Sequence, residues 1–195
     1  MKETPADMEN VNLLWSGGWD STFQLLRLLI IRRRRVTPFY LIEAERRSIS
    51  LEIQAMTRIK ECLREEYPYT RELLQPTRYF AVADIPPDAR ITEAFQSILK
   101  EKFLGTQYDW LARFCRANGI ADIQLCIHRD DKAHSIIEQI VSEHHDGLQT
   151  VFRVDPQFKE RKGCFSAFFL FRYSRSARLR CPLLSMSRAG KKLWP

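Results

Sequence analysis

A chain of 195 residues has room for one domain with its own core and not for two. Its 45% hydrophobic and 28% charged residues exclude a disordered chain. The net charge of +7 suits a phosphate-bearing ligand without singling one out.

Residues 1–10, MKETPADMEN, are polar and read as a loose tail lacking the apolar centre of a secretion signal, so a cytoplasmic protein is expected. Residues 11–15, VNLLW, are a short apolar run that stops at Gly17-Gly18, as a buried strand does when it ends in a turn. Residues 22–35 read as a helix without Gly or Pro, closed by four arginines that suit the negative end of a helix dipole. Its longest apolar stretch, 25–31, is interrupted by Arg27, so no membrane span is expected. VTPFYLIE (36–43) is rich in β-formers and predicts a second strand. Ala55, Ile59, Cys62 and Leu63 fall at helical spacing within 50–66.

TRYFAVAD (77–84) predicts a third strand, closed by Pro86-Pro87. Helices are expected at 91–102 and 107–117, the second ending at Asn118-Gly119. ADIQLCIH (121–128) predicts a fourth strand, and 131–145 a further helix that opens on Asp130-Asp131 and ends on His144-His145-Asp146. CFSAFFLF (164–171) is strand-like, and RYSRSARLR (172–180) is a basic connector with no assigned structure. Strands alternating with helices imply one α/β domain over 11–195, a doubly wound parallel sheet covered on both faces. Cys62, Cys115, Cys126, Cys164 and Cys181 are dispersed, with no CxxC pair, and read as reduced thiols.

Ser16-Gly17-Gly18-Trp19-Asp20-Ser21 lies between the first strand and the first helix, where open α/β sheets take their ligands. A helix N-terminus carries unpaired N–H groups and partial positive charge, glycines let the backbone approach an anion, and Ser16 and Ser21 offer hydroxyls. Asp20 beside a phosphate calls for a mediating Mg²⁺ or has a structural role at the helix start. The simpler alternative is a tight turn in which Asp20 or Ser21 caps the helix. GxxxxGK[ST] and GxGxxG are both absent. Trp15 is expected in the core, and Trp19 against a nucleotide or substrate ring.

SGGWDST resembles the SGGxDS pyrophosphate-binding loop of the N-type ATP pyrophosphatase (PP-loop) superfamily. The resemblance implies a Rossmann-like fold of the adenine nucleotide alpha hydrolase type, cleavage of ATP between its α- and β-phosphates, and adenylation of a substrate. The loop residues Ser16, Gly17, Gly18, Trp19, Asp20, Ser21 and Thr22 would then hold ATP, with Asp20 reaching Mg²⁺ through the phosphates. LEIQA with Glu52 and Ala55, GTQYDWLARFC with Gly105, Thr106, Gln107 and Trp110-Leu111, and CPLLSMSRAG with Arg188 are similar to segments of the 7-cyano-7-deazaguanine synthase branch of queuosine precursor synthesis. That branch implies Gly105 and Gln107 as nucleotide contacts and Arg188 as a catalytic cation where the family has lysine; arginine grips phosphate bidentately. It also implies a small carboxylate substrate such as 7-carboxy-7-deazaguanine, ammonia as co-substrate, and a homodimer.

Two departures stand against the resemblance. Thr106 and Gln107 replace an Arg-Asn pair, and the zinc expected from the family finds no terminal cysteine cluster, Cys181 being the last cysteine. The chain therefore reads as short at its C-terminal side. Among other residues, Cys126, His128 and His134 have irregular spacing for a metal site, and His128 and Asp130 are kept as outer groups near the ligand-facing side of the sheet. Arg32–Arg35 read as a solvated helix end. Arg172, Arg175, Arg178 and Arg180 make the better basic stripe, so RNA is the less favoured partner. The alternatives to an enzyme of this reaction are an ATP- or AMP-binding module without turnover and a tRNA-modifying adenylase of the same superfamily.

Overall fold

The computed structural model describes residues 10–101, 103–120, 122–126, 141–146, 149–154 and 171–174. β1 (Val11–Leu14) and β2 (Val36–Ile42) run parallel with Val11 opposite Val36 and Leu14 opposite Phe39. β3 (Arg78–Ala81) extends the sheet in parallel on the far side of β2, Phe39 opposite Arg78. Segment 122–126 closes on the other edge of β1. Gln124 bridges Leu13 in parallel, the Leu14 N–H donates to the Gln124 carbonyl at 2.9 Å, and the Gln124 N–H donates to the Asn12 carbonyl at 2.8 Å. The chain thus builds outward from β1 through β2 to β3 and then returns to the opposite edge of β1. Such a reversal opens a crevice at the carboxyl ends of the strands.

The helices α1 (Trp19–Leu26), α2 (Ile49–Glu66), α3 (Thr70–Leu73), α4 (Ala89–Glu101) and α5 (Gln107–Ala117) cover both faces. Alternate residues of β2 divide between two cores, because successive strand side chains point to opposite faces. Val36 and Tyr40 join Leu13, Trp15, Leu25, Leu29, Met56 and Leu63 under α1 and α2. Phe39 and Leu41 join Ile91, Phe95, Leu111, Phe114 and Leu125 under α4 and α5. The molecule is mixed α/β, with a small parallel sheet between helices. Among the described residues no helix is long and apolar enough to cross a membrane.

Several expectations change. α1 starts at Trp19 rather than residue 22, and continues through a π-helical turn, Arg27–Ile31, that ends before the arginine run. Consecutive residues Gln24 to Leu29 are all buried, more than one stripe of a regular helix, so the segment is enclosed all round. Arg33 lies past the helix in the left-handed region, φ 51, with its guanidinium 3.4 Å from the Tyr69 ring centre. The C-terminus of α5 is as expected: Asn118 caps it and Gly119 takes a positive φ of 61.

The expected helix over 131–145 does not extend to its end. Val141–Asp146 is a strand, β4, paired antiparallel with β5 (Gln149–Val154), Asp146 opposite Gln149, and β5 pairs with β6 (Phe171–Ser174). His144, His145 and Asp146 are therefore strand residues, and the chain has an antiparallel sheet in addition to the expected parallel one. Only Gly147 and Leu148 separate β4 from β5 in sequence. Six paired positions then outweigh weak helix propensity. The basic connector begins as strand too, Arg172 to Ser174 lying in β6. His128, Asp130, Asp131, His134, Cys164, Arg175, Arg178, Arg180, Cys181 and Arg188 lie outside the described residues.

Candidate functional site

β1 runs out at Leu14, and the next residue anchors the loop. Trp15 is fully buried. Its N–H donates to the Phe39 carbonyl at 2.9 Å and its indole Nε1–H to Thr22 Oγ1 at 3.0 Å. This second bond staples the end of the strand to the first turn of α1, and it turns the Thr22 hydroxyl toward the core.

The two glycines serve different ends. Gly17 has φ 72, and a Cβ there would lie 2.9 Å from the Glu52 carbonyl oxygen and 3.0 Å from Met56 Cγ. It is a glycine because the turn needs a left-handed residue and because the loop lies against the first turns of α2. Gly18, in extended conformation, is the N-cap of α1 and has no side-chain capping bond. A Cβ on Gly18 would meet only Ser16 Oγ, at 3.2 Å. Neither Asp20 nor Ser21 is the helix cap, so the plain capping alternative is not realised.

The loop hydroxyls are loosely held. Ser21 Oγ accepts the Ser16 N–H at 3.4 Å and donates to the Gly18 carbonyl at 3.3 Å. Ser16 Oγ accepts the Gly18 N–H at 3.4 Å and lies 3.4 Å from Ser21 Oγ. Good O–H···O bonds are about 2.7–2.8 Å long, so all of these are weak and exchangeable for a stronger acceptor. The first helical bond of α1 runs from the Thr22 N–H to the Gly18 carbonyl at 3.0 Å. The N–H groups of the residues before Thr22 lie outside the helical ladder.

A cavity of about 270 Å³ opens over this loop at the carboxyl ends of β1, β2 and segment 122–126. Ser16, Gly18, Trp19, Asp20 and Ser21 form one wall; Gln107, Trp110 and Leu111 of α5 face them, with Cys126 between. Trp19 is 64% exposed at its mouth. Gly17 and Thr22 are not in the lining, although each adjoins in sequence a residue that is; Gly105 is not in it either, but a Cβ there would lie 3.4 Å from Cδ of the lining residue Gln107. Gly105 precedes Thr106, the N-cap of α5, and its carbonyl accepts the Tyr108 N–H at 3.2 Å.

Glu43, Arg46, Tyr108 and Leu125 also line the cavity, and sequence reasoning did not find them. Their signal was position: Glu43 and Arg46 directly follow β2 and so belong to its carboxyl end. Arg46 donates to Glu52 Oε1 at 2.7 Å, as does the Ser48 hydroxyl, and the Tyr40 hydroxyl donates to Glu52 Oε2 at 2.7 Å. Glu52, singled out by resemblance, therefore ties β2, the following loop and α2 together. Burial first, then the Glu52 carboxylate, holds the Tyr40 phenol above its ordinary value and keeps it a donor.

Cys126 is no thiolate: burial, and secondly the Asp20 charge, push it up to about 12. Among the described residues no group of three or more His, Cys, Asp and Glu is placed to hold a metal ion. Asp20 and Glu43 are the carboxylates of the cavity wall, enough to assist a cation bound mainly by phosphate oxygens. No family model matches the chain, and no curated protein matches it significantly.

Proposed function

We propose that the chain binds ATP with Mg²⁺ at the Ser16–Ser21 loop and adenylates a small carboxylate, as PP-loop ATP pyrophosphatases do. The observation that carries this reading is the uncapped N-terminus of α1, set at the cavity floor with the two weakly bonded hydroxyls of Ser16 and Ser21. Phosphate oxygens offer both hydroxyls and the helix N–H groups better partners than they now have. The finer fold assignment, a Rossmann-like doubly wound sheet of the adenine nucleotide alpha hydrolase type, is supported by the return of segment 122–126 to the free edge of β1 and by helices on both faces.

On this reading the Ser16, Gly18 and Ser21 groups hold the leaving pyrophosphate, and Trp19 at the mouth lies against a ring. Mg²⁺, when bound, neutralises phosphate charge beside Asp20. The substrate carboxylate attacks the α-phosphorus, pyrophosphate departs, and ammonia then displaces AMP from the acyl adenylate to give an amide, and by a further activation a nitrile. Positioning and charge neutralisation do the work, with Arg188 as the added cation. 7-Carboxy-7-deazaguanine is the first substrate to try.

One observation favours a second reading, nucleotide binding without turnover. Arg46, the cation of the described cavity wall, is already held by Glu52. AMP release separates the two: with ATP, Mg²⁺, ammonia and the carboxylate, the first reading predicts AMP and pyrophosphate in equal amounts, abolished by Asp20→Ala in a folded protein. Stoichiometric ATP binding with no AMP would establish the second.

A further inference from the structure

A second cavity, of about 640 Å³, lies between α2, α3 and the amino end of β3 and shares no lining residue with the cavity over the loop. Its wall carries Lys60, Arg64 and Arg71, and no carboxylate. Lys60 and Arg64 stand four residues apart on α2, so they share one helix face and repel each other. Among the described residues none of these cations has a carboxylate within ion-pairing distance: the Arg71 guanidinium donates to the Arg64 carbonyl at 3.4 Å, and the Lys60 ammonium lies 5.6 Å from the centre of the Trp15 ring. Burial, followed by the Arg64 charge, holds the Lys60 ammonium below its ordinary value, a tension that an anion between them would relieve.

The neutral part of the wall is equally specific. Thr77 Oγ1 is buried with no hydrogen-bond partner, an unpaired group of the kind that native structures seldom leave. Thr70, its neighbour in the wall, already donates to the Leu63 and Tyr67 carbonyls. Tyr79 presents a half-exposed ring, and the partly buried Leu74 adds apolar surface. The volume falls in the range of small-molecule sites, about 300–1,000 Å³, and exceeds what a bare tetrahedral anion fills.

We infer that this basin binds a small organic phosphomonoester, its phosphate on Lys60, Arg64 and Arg71 and its organic part against Tyr79. Two guanidinium groups suit a phosphate better than a single carboxylate, since each can grip two oxygens. The inference stands apart from the nucleotide reading of the loop.

The test is calorimetric titration of phenyl phosphate, inorganic phosphate and phenol into the intact chain. Phenyl phosphate is expected to bind one to one and more tightly than inorganic phosphate or phenol. Arg64→Glu and Arg71→Glu, both at exposed positions, should each weaken it by about tenfold or more, with far-UV circular dichroism and melting unchanged. Arg58→Glu, exposed on the same helix outside the basin, and Gly18→Val, which obstructs the loop, should leave it intact. Absence of binding, binding unchanged in both charge reversals, or inorganic phosphate binding as tightly as phenyl phosphate would overturn the inference.

Discussion

Gly17 and Gly18 are neighbours with opposite tolerances. Gly17→Ala puts a side chain at φ 72 and into the Glu52 carbonyl, and should cost about 1–3 kcal/mol in urea unfolding. Gly18→Ala meets only Ser16 Oγ but puts a poorer residue at the N-cap, and should cost about 1 kcal/mol or less, while crowding the cavity. Thr22→Val removes the acceptor of the buried Trp15 indole and should cost about 1–3 kcal/mol, whereas Thr22→Ser should retain most of it. Both thiols raised to about 12, Cys115 by burial and Cys126 by burial and Asp20, hold their protons more tightly folded than unfolded. Their contribution to stability is full below pH 9.0, the ordinary value, and is lost as pH rises from there toward about 12. Urea midpoints falling between pH 8 and pH 10 would show it; a rising midpoint would contradict that assignment.

At the junction of α1 with segment 122–126, a buried pair joins two elements far apart in sequence. Gln24 Nε2–H donates to Gln124 Oε1 at 2.8 Å with both side chains enclosed, and Gln24 Oε1 is left without a partner. Replacing one glutamine by leucine strands the other, so each single change should cost about 1–3 kcal/mol. The double leucine variant should cost less than the sum, and a double-mutant cycle measures the difference. Most elements here were legible from the chain: β2 from its run of β-formers, α2 from its apolar spacing, the end of α5 from Asn118-Gly119. Those that were not depend on distant partners. α1 begins at Trp19 because the left-handed Gly17, packed against Glu52 and Met56 of α2, turns the chain into the helix, and β4 is a strand because β5 is there to pair with it. α3 is a single turn held by the Thr70 hydroxyl on Leu63 and Tyr67, too short to have a period.

Across the molecule, the parallel sheet brings together at its carboxyl ends what the chain keeps apart. The loop motif was legible because all its chemistry lies within SGGWDS. Glu43, Arg46 and Tyr108 were not, since only the strand order sets them over that loop. Within the loop the fold uses Gly17 to pass α2 closely and Thr22 to anchor Trp15. The proposed nucleotide site is thus a short motif within a wall that tertiary structure supplies. Titration of ATP with Mg²⁺ into the intact chain, beside Gly18→Val, tests it most directly. The proposal predicts one-to-one binding by the parent chain and its loss in a Gly18→Val protein that remains folded. A folded parent chain that takes up no heat of binding, or a variant that binds equally well, would contradict it.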